Sequence, residues 1–362
     1  MIEIKQQFLI GLLAVLQNVG LLLLLKNRIM TFAVLLAKSL SQMLGAAFYH
    51  DLTGYAKALV MVLTAASVLV VGAGGLAAPV LPLLAGAGVG RITVLDPDTV
   101  ALSNLHRQTL FAEADVGAPK ATIANARMQA LNSDIEVTAL QKAFAPDMAP
   151  ALIAAHDIVL DCADSYAASY LASDLCLAAG TPLISASVLG HGGYVGGFCG
   201  GAPSLRAVFP DAPDSGASCA TAGVLGPVVA QIGAMQAQMA LQVLLGAVPS
   251  PLGTLVQVNT TGWHHARIDF HSAPEPDRAF AFVTPGPDDL IVELRPEAEA
   301  PTPIHPNARR TLPDAPDPRR LVLACATGLR AWRTAEEFSK TWPGEIALAA
   351  ATTTHVTKDT SS

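Results

Sequence analysis

The chain is predicted to adopt an α/β fold, a mainly parallel sheet covered by helices on both faces, and three observations carry that expectation. Short β-branched apolar runs alternate with longer alanine- and leucine-rich segments, and glycines stand at the junctions between them. A length of 362 residues with 52% hydrophobic content is enough to bury one large core and support a smaller one. Strands are expected near residues 67–71, 91–95, 136–140, 156–160 and 183–187, with helices near 75–88, 118–132, 150–155 and 167–179. Strand, helix, strand in that order feeds parallel pairing through right-handed crossovers. Residues 194–199 and 254–270 are expected to add antiparallel strands beyond the parallel set, with a long small-residue helix from about 226 to 245 before the last of them.

The first strand, Val68 to Val71, runs directly into Gly72-Ala73-Gly74-Gly75-Leu76-Ala77. Gly72, Gly74 and Gly75 let the backbone turn tightly and approach phosphate oxygens with no Cβ in the way, and Ala77 stands where a third glycine is usual. The following helix points its N-terminal amides at that anion. The second strand ends at Asp96, at about the 20-residue distance at which a carboxylate meets ribose hydroxyls in a Rossmann-like unit. A glycine loop alone is equally a plain strand-to-helix turn; Asp96 at this spacing favours nucleotide binding.

Beyond Asp96 come Asn104, Arg107, Gln108 and Lys120. A hydride-transfer enzyme needs little positive charge on its pyrophosphate beyond the helix amides. These residues supply donors and charge suited to a triphosphate, where the bland alternative is a solvated surface. In order, Gly-Ala-Gly-Gly-Leu, Leu-Asp-Pro-Asp, Leu-Ser-Asn-Leu-His-Arg-Gln, Val-Gly-Ala-Pro-Lys, Asp161-Cys162-Ala163-Asp164 and Cys219-Ala220-Thr221-Ala222-Gly223-Val224-Leu225-Gly226-Pro227 resemble the ThiF/MoeB/HesA adenylating enzymes, relatives of the ubiquitin-activating enzymes, over about 67–245.

The resemblance implies a homodimeric adenylyltransferase in which the C-terminal glycine carboxylate of a small ubiquitin-like sulfur-carrier protein attacks the α-phosphate of ATP, giving an acyl-adenylate and pyrophosphate. It assigns Gly72, Gly74 and Gly75 to the phosphate loop and Asp96 to the ribose. Asn104, Arg107, Gln108 and Lys120 fall to the nucleotide, with Arg107 and Lys120 stabilising charge on the reacting phosphorus and on departing pyrophosphate. Asp164 would hold Mg2+, which commonly takes only one or two carboxylates. The family often has Asn after this Asp, where this chain has Ser165.

Cys219 follows a loop rich in Gly, Ser, Asp and Pro, from Pro210 to Ser218. In ThiF-like members the cysteine at this position links covalently to the activated carrier, and a thiolate is an apt nucleophile for an acyl-adenylate; otherwise Cys219 is a small apolar side chain under a loop. Many members also carry two Cys-x-x-Cys pairs for structural zinc. Here Ser204 and Ala207 occupy the first pair's positions and no Cys-x-x-Cys occurs among the five cysteines, so no zinc is expected.

The region 274–318 is dense in Pro, Glu, Asp and Ala and reads as a linker into a second unit. Leu290 to Arg295, Ile304 to Arg309 and Leu321 to Arg330 resemble a short rhodanese domain, the last as strand, cysteine loop and helix. In such a loop backbone amides converge on the sulfur, and Arg330 is expected to add positive charge. Cys325 is then the sulfur-transfer residue, taking sulfur from a donor such as a cysteine desulfurase; an inactive domain whose cysteine merely ends a strand is the competing reading. The expected organisation is a hydrophobic helical extension (1–62), an adenylation domain (63–272), a linker (273–288), a small C-terminal rhodanese-like α/β unit (289–350) and a disordered tail (351–362).

A net charge of −7 with 5% aromatic residues argues against nucleic-acid binding through a basic face or a stacking platform. Few cysteines, unpaired by spacing, suit a reducing cytoplasm. Phe8 to Leu25 is apolar apart from Gln17 and Asn18 and, at about 1.5 Å per residue, nearly spans a bilayer. Lys26 and Arg28 follow it, so a spanning segment would leave the catalytic domain in the cytoplasm. A soluble helix covering a partner subunit is the other reading. The family's partner-supplied arginine from this region has no clear match, Arg28 being the one arginine before Arg91.

These readings converge on ATP-dependent activation of a sulfur carrier. An adenylating relative acting on another carboxylate or a tRNA base, and a catalytically weakened carrier-binding scaffold, remain as alternatives. An NAD-dependent oxidoreductase is disfavoured because no motif places a His or Lys as a hydride-transfer acid.

Overall fold

The computed structural model describes residues 52–211, 223–277 and 279–353. The segment Phe8 to Leu25, Arg28, Cys219 and the tail beyond 353 lie outside the described residues. The chain divides into two compact units, Met1–Val62 and Leu63–Ser362. Of the first only residues 52–62 are described; they begin helix α1 (Leu52–Ala65). Among the described residues no helix is long and apolar enough to cross a membrane.

The second unit is built on an eight-stranded sheet. Its parallel part comprises β1 (Ser67–Val71), β2 (Arg91–Leu95), β3 (Glu136–Leu140), β4 (Ile158–Asp161) and β5 (Pro182–Leu189). Antiparallel β6 (Gly192–Cys199), β7 (Thr254–Asn259) and β8 (His264–Asp269) extend it, giving the order β3-β2-β1-β4-β5-β6-β7-β8. The expected strand over 254–270 is therefore a hairpin. Its turn holds Thr260, Thr261 and Gly262 and ends at Trp263, whose φ is 50°; such a cluster of turn formers breaks a strand.

Helices α2 (Ala77–Gly86), α3 (Lys120–Leu131), α4 (Ala149–Ala154), α5 (Tyr166–Ala179), α6 (Leu205–Val208) and α7 (Gly226–Leu244) complete this part. Successive residues of β1 point to opposite faces. Val68 and Val70 join one cluster with α2, α3 and α7, whereas Leu69 and Val71 join another with α4 and α5. All five β1 residues are buried, as a strand covered on both faces requires. Fully burying each of its four valine and leucine side chains contributes about 1.5–3 kcal/mol. Where α7 crosses α2, a Cβ on Gly233 would stand 2.6 Å from the Leu76 carbonyl oxygen, so only glycine permits this approach.

The C-terminal part forms a second, three-stranded parallel sheet, β11-β10-β9, from β9 (Leu290–Glu293), β10 (Leu321–Cys325) and β11 (Ile346–Ala350), with helix α8 (Leu329–Phe338) after β10. Its inner face is continuous with the large sheet's core: Leu290, Val292, Leu323, Leu348 and Trp332 share one hydrophobic cluster with Leu69, Val159 and Leu171. Phe280 and Phe282, in the stretch read as a linker, pack into that cluster, and Val283 N–H donates to the Leu348 carbonyl at 2.8 Å.

Candidate active site

The parallel strands reverse their order of succession between β1 and β4, which opens a crevice at their C-terminal ends. The glycine loop leaves β1 there. Gly72 has φ +95°, and a Cβ on it would lie 2.7 Å from the Cys162 carbonyl oxygen at the end of β4. Both the dihedral and the contact exclude a side chain. Gly75 is packed against Val229 and the Arg107 backbone, whereas Gly74 is open, with Gln108 Nε2 3.7 Å from where its Cβ would be.

Asp96 sits at the end of β2 and ties the loop in place. One oxygen accepts from the Ala73 amide at 2.7 Å, the other from the Asp98 amide at 2.8 Å. Burial raises its pKa; the Lys120 charge and those two amides act the other way. Asn104 is at the end of a short 3-10 turn (Leu102–Asn104), and its carbonyl accepts from the Arg107 and Gln108 amides while its Oδ1 accepts from Arg107 Nη2 at 3.0 Å. Gln108 is buried, and its Oε1 has no hydrogen-bond partner among the described residues. That acceptor calls for a donor such as a hydroxyl or amino group, while the half-buried Arg107 offers positive charge to an anion, so the two together suit a polar ligand that carries both.

Lys120 opens α3 and is buried, its Nζ 2.9 Å from Asp98 Oδ2. Asp98, part of the Leu-Asp-Pro-Asp motif, has no expected role from the sequence. Its place two residues beyond Asp96 was the available signal. Phosphate binding by Lys120 therefore means exchanging this exposed carboxylate for a phosphate oxygen.

The β4 turn carries Asp161 to Ser165. Asp161 is fully buried; its Oδ2 accepts from Ser185 Oγ at 2.8 Å and its Oδ1 from the Ala163 amide at 3.2 Å. Gln236 of α7 closes the network, donating to the Asp161 and Ile184 carbonyls at 2.7 and 3.0 Å and accepting from the Cys162 thiol at 3.3 Å. Neither Asp161 nor Gln236 was singled out from the sequence. Burial lifts the Asp161 pKa from an ordinary 3.8 to about 6. The folded state therefore holds this proton more tightly than the unfolded one, and the stability it contributes is present below about pH 4 and lost as pH rises through about 6. Replacing Asp161 by Asn is expected to remove that slope. Unfolding free energy should fall between pH 4 and pH 7 more steeply in the parent than in the variant, by roughly 2 kcal/mol, and parallel profiles would refute the assignment.

Asp164, by contrast, is exposed and has no hydrogen bond or ion pair among the described residues. Ser165 is buried and its hydroxyl lies 2.7 Å from that of Thr352. Among the described residues no group of three or more His, Cys, Asp or Glu side chains is placed to hold a metal ion. A magnesium ion here would have Asp164 as its protein carboxylate, with the remaining positions open to phosphate and water, as that ion commonly prefers.

Ser204, at the first position of the absent Cys-x-x-Cys pair, caps α6 by accepting from the Arg206 and Ala207 amides, and its own amide donates to Glu275 at 2.7 Å. Arg206 next to it is buried, paired in two bonds with Asp174 (2.6 and 2.8 Å), and its guanidinium lies 4.7 and 4.8 Å from the ring centres of Tyr170 and Trp332.

In the C-terminal unit the expected strand, cysteine loop and helix are present as β10, residues 326–328 and α8. Cys325 is buried, its sulfur accepting from the Gly328 amide at 3.2 Å and the Ala331 amide at 3.4 Å. Arg330 does not supply the expected charge at the sulfur. It pairs with Glu299 at 3.1 Å and donates to the Leu294 carbonyl. Being exposed, it gains more from a nearby carboxylate than from a buried thiol. Arg295, three residues beyond β9's Val292, is held by Glu293 at 2.6 Å.

A sequence model of the ThiF family matches residues 51–278. The adenylyltransferase and sulfurtransferase MOCS3 of Mus musculus is 42% identical over 209 residues, covering 57% of this chain and 45% of that protein. The sulfur carrier protein ThiS adenylyltransferase of Escherichia coli is 40% identical over 195 residues, 52% of this chain and 75% of the relative. A sulfur carrier protein adenylyltransferase of Thermus thermophilus is 42% identical over 189 residues, 50% and 70% of the two chains. The chain thus spans less than half the length of the MOCS3 relative. Among solved structures, Escherichia coli MccB with ATP superposes with a TM-score of 0.51 at 21% identity over 60% of this chain and 67% of the other. MccB with N-formylated MccA gives 0.54 at 22% identity over 60% and 68%. At such identity the likeness is one of fold.

Proposed function

The chain belongs to the ThiF family, and from that membership we propose that it is an ATP-dependent adenylyltransferase acting on the C-terminal glycine of a ubiquitin-like sulfur-carrier protein. Support comes chiefly from the meeting, in one crevice, of the Gly72–Gly75 loop, Asp96 bonded to that loop, and the β4 turn bearing an exposed Asp164. The names of the relatives, adenylyltransferases for sulfur carriers among them, support the choice of substrate.

In this reading a carboxylate oxygen of the carrier bonds to the α-phosphorus of ATP as the bond from that phosphorus to the bridging oxygen of pyrophosphate breaks. The Gly74 opening lets phosphate oxygens approach the backbone. Asp96 accepts from a ribose hydroxyl while orienting Ala73. Arg107 and Lys120 neutralise charge that grows on the phosphates, and Asn104 orients Arg107 for that role. Gln108 Oε1 accepts a donor from the nucleotide. Magnesium, held through Asp164, supplies further charge neutralisation when bound.

Cys219 is proposed as the nucleophile that receives the activated carrier after adenylation. The divisions 63–272 and 289–350 are kept as adenylation and rhodanese-like parts, and a homodimer, a cysteine-desulfurase-type donor and a cytoplasmic setting belong to the same proposal. The deciding experiment is exchange of labelled pyrophosphate into ATP with candidate carriers. Carrier-dependent exchange is expected, whereas ATP binding without exchange selects the weakened scaffold.

For Cys325 the proposed step is attack of its thiolate on the outer sulfur of thiosulfate, forming a persulfide and releasing sulfite. Peptide mass analysis after incubation with thiosulfate should show one added sulfur at Cys325 and none in Cys325→Ala. An unshifted mass would leave the loop a structural strand end.

A further inference from the structure

The first turn of α5 follows Asp164 directly, yet it is completed by residues from the other end of the chain. Ser165 occupies the N-cap position and makes no side-chain bond to its own helix. Its hydroxyl is bonded instead to Thr352 Oγ1 at 2.7 Å, a pair 187 residues apart. The Ala167 amide, one of the donors that a helix start leaves without an internal partner, is taken by the Thr327 carbonyl at 3.1 Å. The two contacts are linked, because the Thr352 amide donates to the Ala326 carbonyl at 3.1 Å. Packing holds them together: Gly328, φ +92°, has no room for a Cβ, which would meet Phe282 at 2.6 Å and the Ala167 side chain at 3.1 Å.

On its other side the same turn is anchored within the large sheet, where Asp161 accepts from the Ala163 amide. Asp164 therefore stands between two fixed points. Its upstream neighbour is held by β4 and its downstream neighbour by the C-terminal unit.

We propose that the C-terminal unit acts as a positioning element for Asp164, Thr352 through its hydroxyl and Thr327 through its carbonyl holding the α5 turn so that the preceding carboxylate is set for magnesium and nucleotide. This rests on the reading of the crevice as a nucleotide site. It gives the C-terminal unit a part in the adenylation half-reaction that is independent of any chemistry at Cys325. Thr352 and Thr327 are positioning residues; neither touches the reacting atoms.

The test is calorimetric titration of the full chain with ATP at a series of magnesium concentrations. Thr352→Val, which keeps the shape and deletes the hydroxyl, is expected to raise the magnesium concentration for half-maximal ATP binding about three- to tenfold, the effect of one net hydrogen bond. Thr352→Ser should restore the parent value. Ser165→Ala removes the same bond from its other end, so it should give a similar shift, and the double variant no more than either alone. Equal magnesium dependence in the parent and Thr352→Val, or a shift that serine does not restore, overturns the positioning role while leaving the nucleotide site standing. Absence of ATP binding by the parent chain at any magnesium concentration overturns both.

Discussion

Carrier-dependent pyrophosphate exchange is expected to fall at least about 100-fold in Asp164→Ala, the scale on which one charge-stabilising group acts in a preorganised site. Asp164 is exposed and unpaired among the described residues, so its removal should shift unfolding by no more than about 0.5 kcal/mol. Loss of exchange with an unchanged melting curve therefore reports on chemistry and not on folding. Cys219→Ala should retain exchange, because a nucleophile that receives the acyl group acts after pyrophosphate has formed. Equal loss in both variants would refute that order of events, and full exchange in Asp164→Ala would remove this carboxylate from the site.

The largest effect on stability is expected at Arg206. Its guanidinium is held by two bonds to Asp174 and a third to the Phe280 carbonyl at 3.1 Å, and it lies close to the faces of Tyr170 on α5 and Trp332 on α8. One cation thus joins the large sheet's helical layer to the C-terminal unit. Arg206→Ala removes the partner of a half-buried carboxylate and the cation between two rings, a change of about 3–5 kcal/mol for a broken buried pair. Arg206→Lys should recover only part of it, since an ammonium lacks the planar fork that meets both Asp174 oxygens. Chemical denaturation followed by far-ultraviolet circular dichroism measures this; a loss below about 1 kcal/mol would show that the shared hydrophobic cluster alone holds the two parts together.

The sequence by itself determined the α/β class, the five parallel strands and the place of the glycine turn after β1. These follow from short-range rules: apolar runs of strand length, glycines where the backbone must turn without a Cβ, and Asp96 at the end of the next strand. Gly72 is legible because its positive φ and its approach to Cys162 are needs of its own backbone. The hairpin within 254–270 is open to the same local reading in Thr260, Thr261 and Gly262, but its second strand, His264–Asp269, is largely exposed and polar and carries no apolar pattern that would mark it as a separate strand.

Only the tertiary structure decided which polar side chains meet. Asp161 finds Ser185 across 24 residues and Gln236 across 75, Arg206 finds Asp174 across 32, and Ser165 finds Thr352 across 187. Such pairs carry no periodicity, because a hydrogen bond depends on where two chains of packing bring their donors and acceptors and not on the residues beside each in sequence. Strand β10 with its cysteine loop could be recognised in advance from a local pattern, whereas β11 and the packing of this sheet into the core of the large one, against helix α5, could not.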